Sequence, residues 1–407
     1  MSLDFLRPSA PAERIVEVDI VRGFALFGVL LVNMYGFGAD SIAWNAPSDR
    51  LAYTTTHFLF DSKSWTLFSM LFGFGFALQL MRATARGLPF LATYLRRLAV
   101  LFVFGAAHTL LYDGDILILY AELGLGLLFL HRLPTRWLLV LAVGLLLIFP
   151  FGHLLTPDRD AEIGIAIETV ADARITLELQ SQTHVYTQGS LAEVAAYNAT
   201  AILATPFDEF NWADSGLAAF AMFLLGYVLG RSGIMNNIPE KITSIARVRN
   251  WGLGIGLTAM TAELALTASS GYAVYRPSSA APMVILAGDL LFAFGTVALA
   301  LGYAAMLVLA AQTPKGRKLL APLAGVGRMA LTVYLTQTLI FTSLFYGYGL
   351  DMAYRVGPVT VSIWAVAIFV GQVLACRWWL RRYRFGPAEW LWRCLSYLKW
   401  QRLRHAR

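Results

Sequence analysis

Ile20 to Phe37 reads IVRGFALFGVLLVNMYGF, an apolar run close to the roughly 20 residues that cross a hydrocarbon core, yet with Arg22 and Asn33 inside it. A charge at such depth is costly unless it faces protein or a water-filled cavity. The stretch therefore predicts a bilayer helix with one polar, inward face. Arg22 and Asn33 are eleven positions apart, about 1100° of turn, so they share a face to within roughly 20° and stand about 16 Å apart along the axis. Asp19 lies one turn before Arg22. The plain alternative is an Asp19–Arg22 ion pair that only holds helices together.

Similar runs recur along the chain. Of its 407 residues 58% are hydrophobic and 14% charged, a composition suited to a bilayer rather than to a soluble globule. Further spans are read at Trp65 to Met81, Leu95 to Leu111, Ile116 to Leu130, Trp137 to Leu154, Leu217 to Gly230, Trp251 to Ala268, Met283 to Ala311, Leu323 to Phe345 and Val359 to Cys376. The shortest of them extend into flanking polar residues. The expected fold is all-α, a polytopic transmembrane bundle of about ten helices.

Lys and Arg give the orientation, because cytoplasmic loops retain positive charge. In alternating loops 24 of the 32 basic residues fall on one side, from Arg7 and Arg14 to the tail beyond Arg377. The other side holds 6: Arg50, Lys63, Arg159, Arg174, Arg276 and Arg355. The expectation is a multi-pass protein of a bacterial inner membrane with both termini in the cytoplasm. Scattered between spans, the net charge of +7 is a topology signal and a surface for membrane lipids, which argues against nucleic acid. Cys376 and Cys394 lack metal-ligand spacing and fall on the reducing side, so neither a disulfide nor a metal site is expected. The first run carries Asp19 and Arg22 and no small-residue cleavage pattern follows it, so it should remain as a helix.

Four regions follow: a five-helix half at 1–155, a connector at 156–214, a second five-helix half at 215–380 and a basic aromatic tail at 381–407. The connector is acidic and is placed outside. Between Asp160 and Gln182, Ile163, Ile167, Val170, Ile175 and Leu179 recur at helical steps, which predicts an amphipathic helix over the outer mouth, either a lid or a simple surface link. In the tail, Trp390, Trp392, Tyr397 and Trp400 interleave with Arg393 and Lys399, the mixture of a headgroup interface. No internal repeat is visible, which disfavours transporters built from two repeated halves.

The richest polar cluster is Ala107 to Leu123, AHTLLYDGDILILYAEL, together with Arg97. Asp113-Gly114-Asp115 predicts a tight turn between two helices, and His108 lies close enough in depth for either aspartate to orient its imidazole. A histidine so held is a candidate general base; a packed, hydrogen-bonded histidine is the structural alternative. Glu122, Glu263, Asp289, Arg328 and Gln337 complete the inward candidates. On a straight helix Arg328 and Gln337 are turned about 180° apart and cannot line one narrow cavity. Gly73, Gly75, Gly124, Gly126, Gly252, Gly254 and Gly256 read as close helix-packing positions, with no dinucleotide fingerprint among them.

Five stretches in order resemble the YeiB-like family of bacterial membrane proteins, a domain of unknown function: EVDIVRGFALFGVLLVN (Glu17 to Asn33), KSWTLFSMLFGFGF (Lys63 to Phe76), AAHTLLYDGDILILYA (Ala106 to Ala121), GRMALTVYLTQTLIFTSLFYG (Gly327 to Gly347) and FGPAEWLWR (Phe385 to Arg393). Asp19, Arg22, Gly23 and Asn33 are also similar to the first helix of transmembrane acyltransferases of the heparan-alpha-glucosaminide N-acetyltransferase class. That resemblance implies transfer of an acyl group from cytoplasmic acyl-CoA, such as acetyl-CoA, to an acceptor beyond the membrane, assisted by a histidine. His57 lies in the matching connector; His108 belongs to the YeiB-like motif and is preferred.

On this reading the phosphates of acyl-CoA rest against Arg22, Arg96, Arg97 or Arg328, beside Asp19. His108, oriented by Asp113 or Asp115, deprotonates a hydroxyl or amine of a small-molecule or glycan acceptor or carries the acyl group transiently, and Asn33 donates to the developing oxyanion. The alternative is a small-molecule transporter or exporter, with Asp19, Glu122, Glu263 and Asp289 as an intramembrane proton relay. A second copy of the chain, as a homodimer, is a further candidate partner. Acyl length and acceptor stay open.

Overall fold

The structure is a computed structural model that describes residues 14–38, 46–155, 183–204, 216–269, 282–353 and 355–405. Among them the regular elements are helices, joined by one isolated antiparallel bridge between Tyr383 and Arg404. The amphipathic segment expected between Asp160 and Gln182 lies outside the described residues.

Apart from Leu323 to Phe345, each apolar run falls largely within a single helix. The first half contains α1 (Val16–Gly38), α2 (Pro47–Leu59), α3 (Lys63–Ala85), α4 (Leu91–Thr109), α5 (Leu117–Leu130) and α6 (Thr135–Leu155). After α7 (Leu191–Ala204) come α8 (Leu217–Arg231), α9 (Ile238–Ser269), α10 (Pro282–Ala311), α11 (Pro314–Arg328), α12 (Ala330–Phe345), α13 (Pro358–Leu380) and α14 (Pro387–Tyr397). Among the described residues five stretches are long and apolar enough to cross a membrane: Pro47–Ala85, α4, the Thr135–Gly152 part of α6, α10 and α13; α11 and α12 taken together make a sixth. The shorter α5 and α8 are apolar apart from Glu122 and the terminal Arg231. Phe129, Trp251, Ile363 and Leu374 project from the bundle surface, as side chains do where hydrocarbon replaces water. The chain is a helical membrane protein.

α1 is the hub, packed against α3, α10, α11, α12 and α13. Its approach to α11 is set by two glycines: a Cβ on Gly23 would stand 2.1 Å from Leu323 O, and one on Gly327 would stand 1.9 Å from Asp19 O. The backbones therefore touch, the geometry small residues permit where no hydrophobic force draws helices together. Gly73 is used in the same way against Phe223 O of α8. Gly75 is not: a Cβ there would meet nothing within 4 Å.

The run from Leu323 to Phe345 is not one straight span. It breaks at Met329 (φ −113°, ψ 32°), and α11 and α12 meet at a bend of 78°. The straight-helix argument separating Arg328 from Gln337 thus lacks its premise. A helix start leaves N–H groups without partners, and Met329 offers no side-chain cap. Glu389 of α14 supplies one. Its carboxylate accepts from the N–H groups of Leu331 (2.6 Å) and Thr332 (3.0 Å) and from the Thr332 hydroxyl (2.6 Å).

Candidate functional site

Many of the polar residues in the bundle line three cavities in series. At the basic end a cavity of about 990 Å³ is lined by Arg14, Asp19, Arg22, Arg97, Arg328 and Arg384 among others. Above it lies a central cavity of about 260 Å³ with a mainly aromatic and aliphatic wall that includes Phe72, Phe76, Leu98 and Tyr120. Among the residues the two share are Arg14, Arg22, Gly75, Arg97, Arg328 and Arg393. Beyond it is an acidic chamber of about 510 Å³, whose wall carries Asn33, Asp61, Asp113, Asp115 and Asp289. Phe68 and Tyr334 stand between the central cavity and the chamber and line both.

α1 runs past the whole series, which is why Arg22 and Asn33 serve different cavities from one helix face. Asp19 is buried and holds two guanidinium groups, Arg14 by a short contact and Arg22 at 3.0 Å. The ion pair offered as the plain alternative therefore exists, on a cavity wall. Arg22 also reaches the carbonyl of Gly327 at 3.4 Å, over the α1–α11 contact. The buried Nε of Arg328 has no hydrogen-bond partner among the described residues. A cationic wall with spare donors suits an anion with several oxygens.

The tail helps to build this end. α14 packs on α4: Arg97 lies over the Trp392 ring at 4.3 Å, Trp392 Nε1 donates to Arg97 O at 3.0 Å, and Arg96 donates to Ser396 O at 2.9 Å. Arg96 is thus tied to the tail, whereas Arg97 faces the cavities. Burial pushes the Glu389 carboxyl above the usual carboxylate range, although its three hydrogen bonds pull the other way. Burial and the neighbouring Arg97 lower Arg393 to about 10.

At the acidic chamber two histidine–carboxylate pairs occur. His108, 4% exposed, lies between α4 and α12 with Nδ1 at 2.7 Å from Asp115 and Nε2 at 2.7 Å from the Thr338 hydroxyl. Asp115, rather than Asp113, is its partner, and Asp115 Oδ2 also accepts from Ile118 N at 2.9 Å. Both imidazole nitrogens are committed, and His108 lines none of the three cavities. His57 differs. Its Nδ1 is 2.8 Å from Asp61 Oδ2, its ring stacks between Tyr53 and Phe292, and its Nε2 has no hydrogen-bond partner among the described residues. Asp61 and Phe292 are both chamber wall.

Asp61, Lys63 and Phe68 are positioned by a turn the spacing did not reveal. Ser62, at φ 59°, adopts the left-handed conformation a side chain rarely takes and reverses the chain between α2 and α3. Lys63 is fully buried, donates to His57 O at 3.1 Å and lies 5.3 Å from the Phe292 ring centroid. An acid and a base flanking Ser62 at the head of an apolar run were the available signal. Tyr334 and Glu389 carried none that a single sequence offers. Gln337, paired with Gln372 at 3.1 Å, is off the cavities. The carboxylates of the relay are dispersed: Asp19 at the basic end, Asp289 on the chamber and Glu122 on no cavity wall of the three. No group of three or more His, Cys, Asp or Glu is placed to hold a metal among the described residues.

The fold and cavities define a class, a helical membrane protein with a series of interior cavities. Residues 229–399 match the family described as "Protein of unknown function (DUF418)". The chain is 30% identical over 418 residues to "Uncharacterized protein YxaH" of Bacillus subtilis (strain 168), covering 97% of each. It is 31% identical over 405 residues to "Uncharacterized protein YeiB" of Escherichia coli (strain K12), covering 94% of this chain and 96% of that one. The chain belongs to the YeiB-like, DUF418 family. No solved structure matches it.

Proposed function

We propose that the protein is a transmembrane acyltransferase of a bacterial inner membrane. It crosses ten times with both ends in the cytoplasm, the orientation the basic loops favour, so that the basic cavity faces cytoplasmic acyl-CoA. What carries this reading is the order of the three cavities: arginines, then a narrow apolar passage, then a chamber with a histidine–carboxylate pair at its edge. The phosphates of acyl-CoA rest on Arg22, Arg97 and Arg328, its flexible arm threads the central cavity, and the thioester reaches the chamber.

There His57, its Nδ1–H held by Asp61, takes the proton of an acceptor hydroxyl or amine at Nε2. The acceptor attacks the thioester carbonyl, the amide of Asn33 donates to the oxyanion, the C–S bond breaks, and the CoA thiolate leaves with the proton. His108 is a structural residue in this scheme, because its nitrogens are already engaged.

Purified protein should bind acetyl-CoA and transfer or hydrolyse its labelled acetyl group. His57→Ala should lower turnover by roughly 100-fold or more while leaving acetyl-CoA binding intact, and Arg22→Ala together with Arg328→Ala should weaken binding. Unchanged turnover in His57→Ala removes the base. Solute accumulation driven by a pH gradient in proteoliposomes, without an acyl donor, makes the protein a transporter instead.

A further inference from the structure

The motif around His108 is not used by this chemistry, although its hydrogen bonds are among the most enclosed in the molecule. What it touches is Tyr334. The two ring centroids are 4.9 Å apart, and Thr338, which holds His108 Nε2, follows Tyr334 by one turn on α12. His108 is thereby pinned between the α4–α5 turn, through Asp115, and the helix that carries Tyr334.

Phe68 is braced in the same manner from the other side. Its ring lies 6.1 Å from that of Tyr120, whose hydroxyl is 2.5 Å from Ser69 Oγ and whose ring meets Phe72 at 5.4 Å and Phe223 at 5.0 Å. Phe68 and Tyr334 are also the two residues shared by the walls of the central cavity and the acidic chamber. Because both walls share these rings, their removal is expected to open the central cavity into the chamber. A protein with such a route needs a seal in any membrane that holds a proton gradient, and a constriction of apolar rings excludes water and ions by dewetting.

We propose that Phe68 and Tyr334 form a two-ring gate that seals this route against water and protons, and that the His108–Asp115–Thr338 bracket holds Tyr334 in the closed position. A thin, flexible chain can push between rings that stop a hydrated ion. The gate is independent of acyl transfer, since any occupant of the route has to pass it.

The test is proton flux into liposomes that hold the full-length protein and a pH-sensitive dye, driven by a potassium diffusion potential. The wild type should be as tight as empty liposomes. Phe68→Ala combined with Tyr334→Ala should raise the leak by about tenfold or more, and His108→Ala by a smaller factor. Gly75→Leu supplies the decisive control. A Cβ at Gly75 meets open space on the wall shared by the lower cavities, so leucine there should plug the passage and abolish the leak of the double variant.

His57→Ala should remain tight, which separates a failure of the gate from a failure of the transfer chemistry. A double variant that melts like the wild type and stays tight overturns the proposal. So does a leak that Gly75→Leu leaves unchanged, because it then runs through disturbed packing. Should the double variant not reconstitute, the milder Tyr334→Val is read by the same two criteria.

Discussion

Glu389 shows how one side chain can matter to a helix it does not belong to. Its burial has a thermodynamic consequence with a definite sign. A carboxyl whose folded value is raised is one the fold prefers neutral. Its contribution to stability is full below the unfolded value, about pH 4.3, and declines as pH rises through the folded value. Thermal melts of the detergent-solubilised wild type should therefore lose stability from this group on going from acid towards neutral pH. Glu389→Gln, which stays neutral and keeps an acceptor, should flatten that dependence. Glu389→Ala should cost about 1–3 kcal/mol at acid pH and less as pH rises, because the first N–H groups of α12 lose their partners. A Glu389→Gln melt with the wild-type slope would place the titration elsewhere.

At the same scale His57 and His108 show what a sequence withholds. Each has an aspartate within a few positions, and that spacing cannot say which nitrogen stays available. The contact of His108 with Thr338, 230 positions away, settles its second nitrogen, and no local pattern encodes it. Arg22 and Asn33 were legible because both sit on one continuous helix, where angular arithmetic holds.

Among the elements, the α1–α11 crossing is the most constrained. Gly23 and Gly327 each face backbone rather than a movable side chain, so an added methyl must push the helices apart. Gly327→Ala should destabilise the protein by about 1–3 kcal/mol and weaken acyl-CoA binding, since the same contact carries the hydrogen bond from Arg22. A melting temperature and a donor affinity equal to the wild type would refute this. Gly75→Ala, by contrast, should be neutral or slightly stabilising, because alanine favours the helix and its methyl enters open space. Both glycines sit in apolar helical runs, and only the neighbours distinguish them. The bend at Met329 was hidden for a related reason: hydropathy stays high through Leu323 to Phe345, and a break of one residue leaves the average untouched.

For the molecule as a whole, composition alone determined that apolar helices dominate, because each one satisfies its own backbone and needs no partner to be recognised. The separate helix α2 and the docking of α14 depend on tertiary contacts and were invisible, and the Ser62 turn left only its flanking acid and base as a trace. The number of crossings and their direction rest on loop charge. Reporter fusions at Arg14, Asp113, Arg231 and the C-terminus test them together: those at Arg14, Arg231 and the C-terminus should report the cytoplasm and that at Asp113 the opposite side. Any other pattern reverses the assignment of acyl-CoA to the basic cavity.

The carboxylate that completes the start of α12 arrives 58 positions after Leu331. During synthesis those amide groups therefore wait for their partner until 58 further residues have followed Leu331. A chain cut short before Pro387 would retain all its apolar helices, yet would lack the residue that closes the floor of its own interior. Completion of that floor thus waits for a helix that follows the last long apolar one, α13.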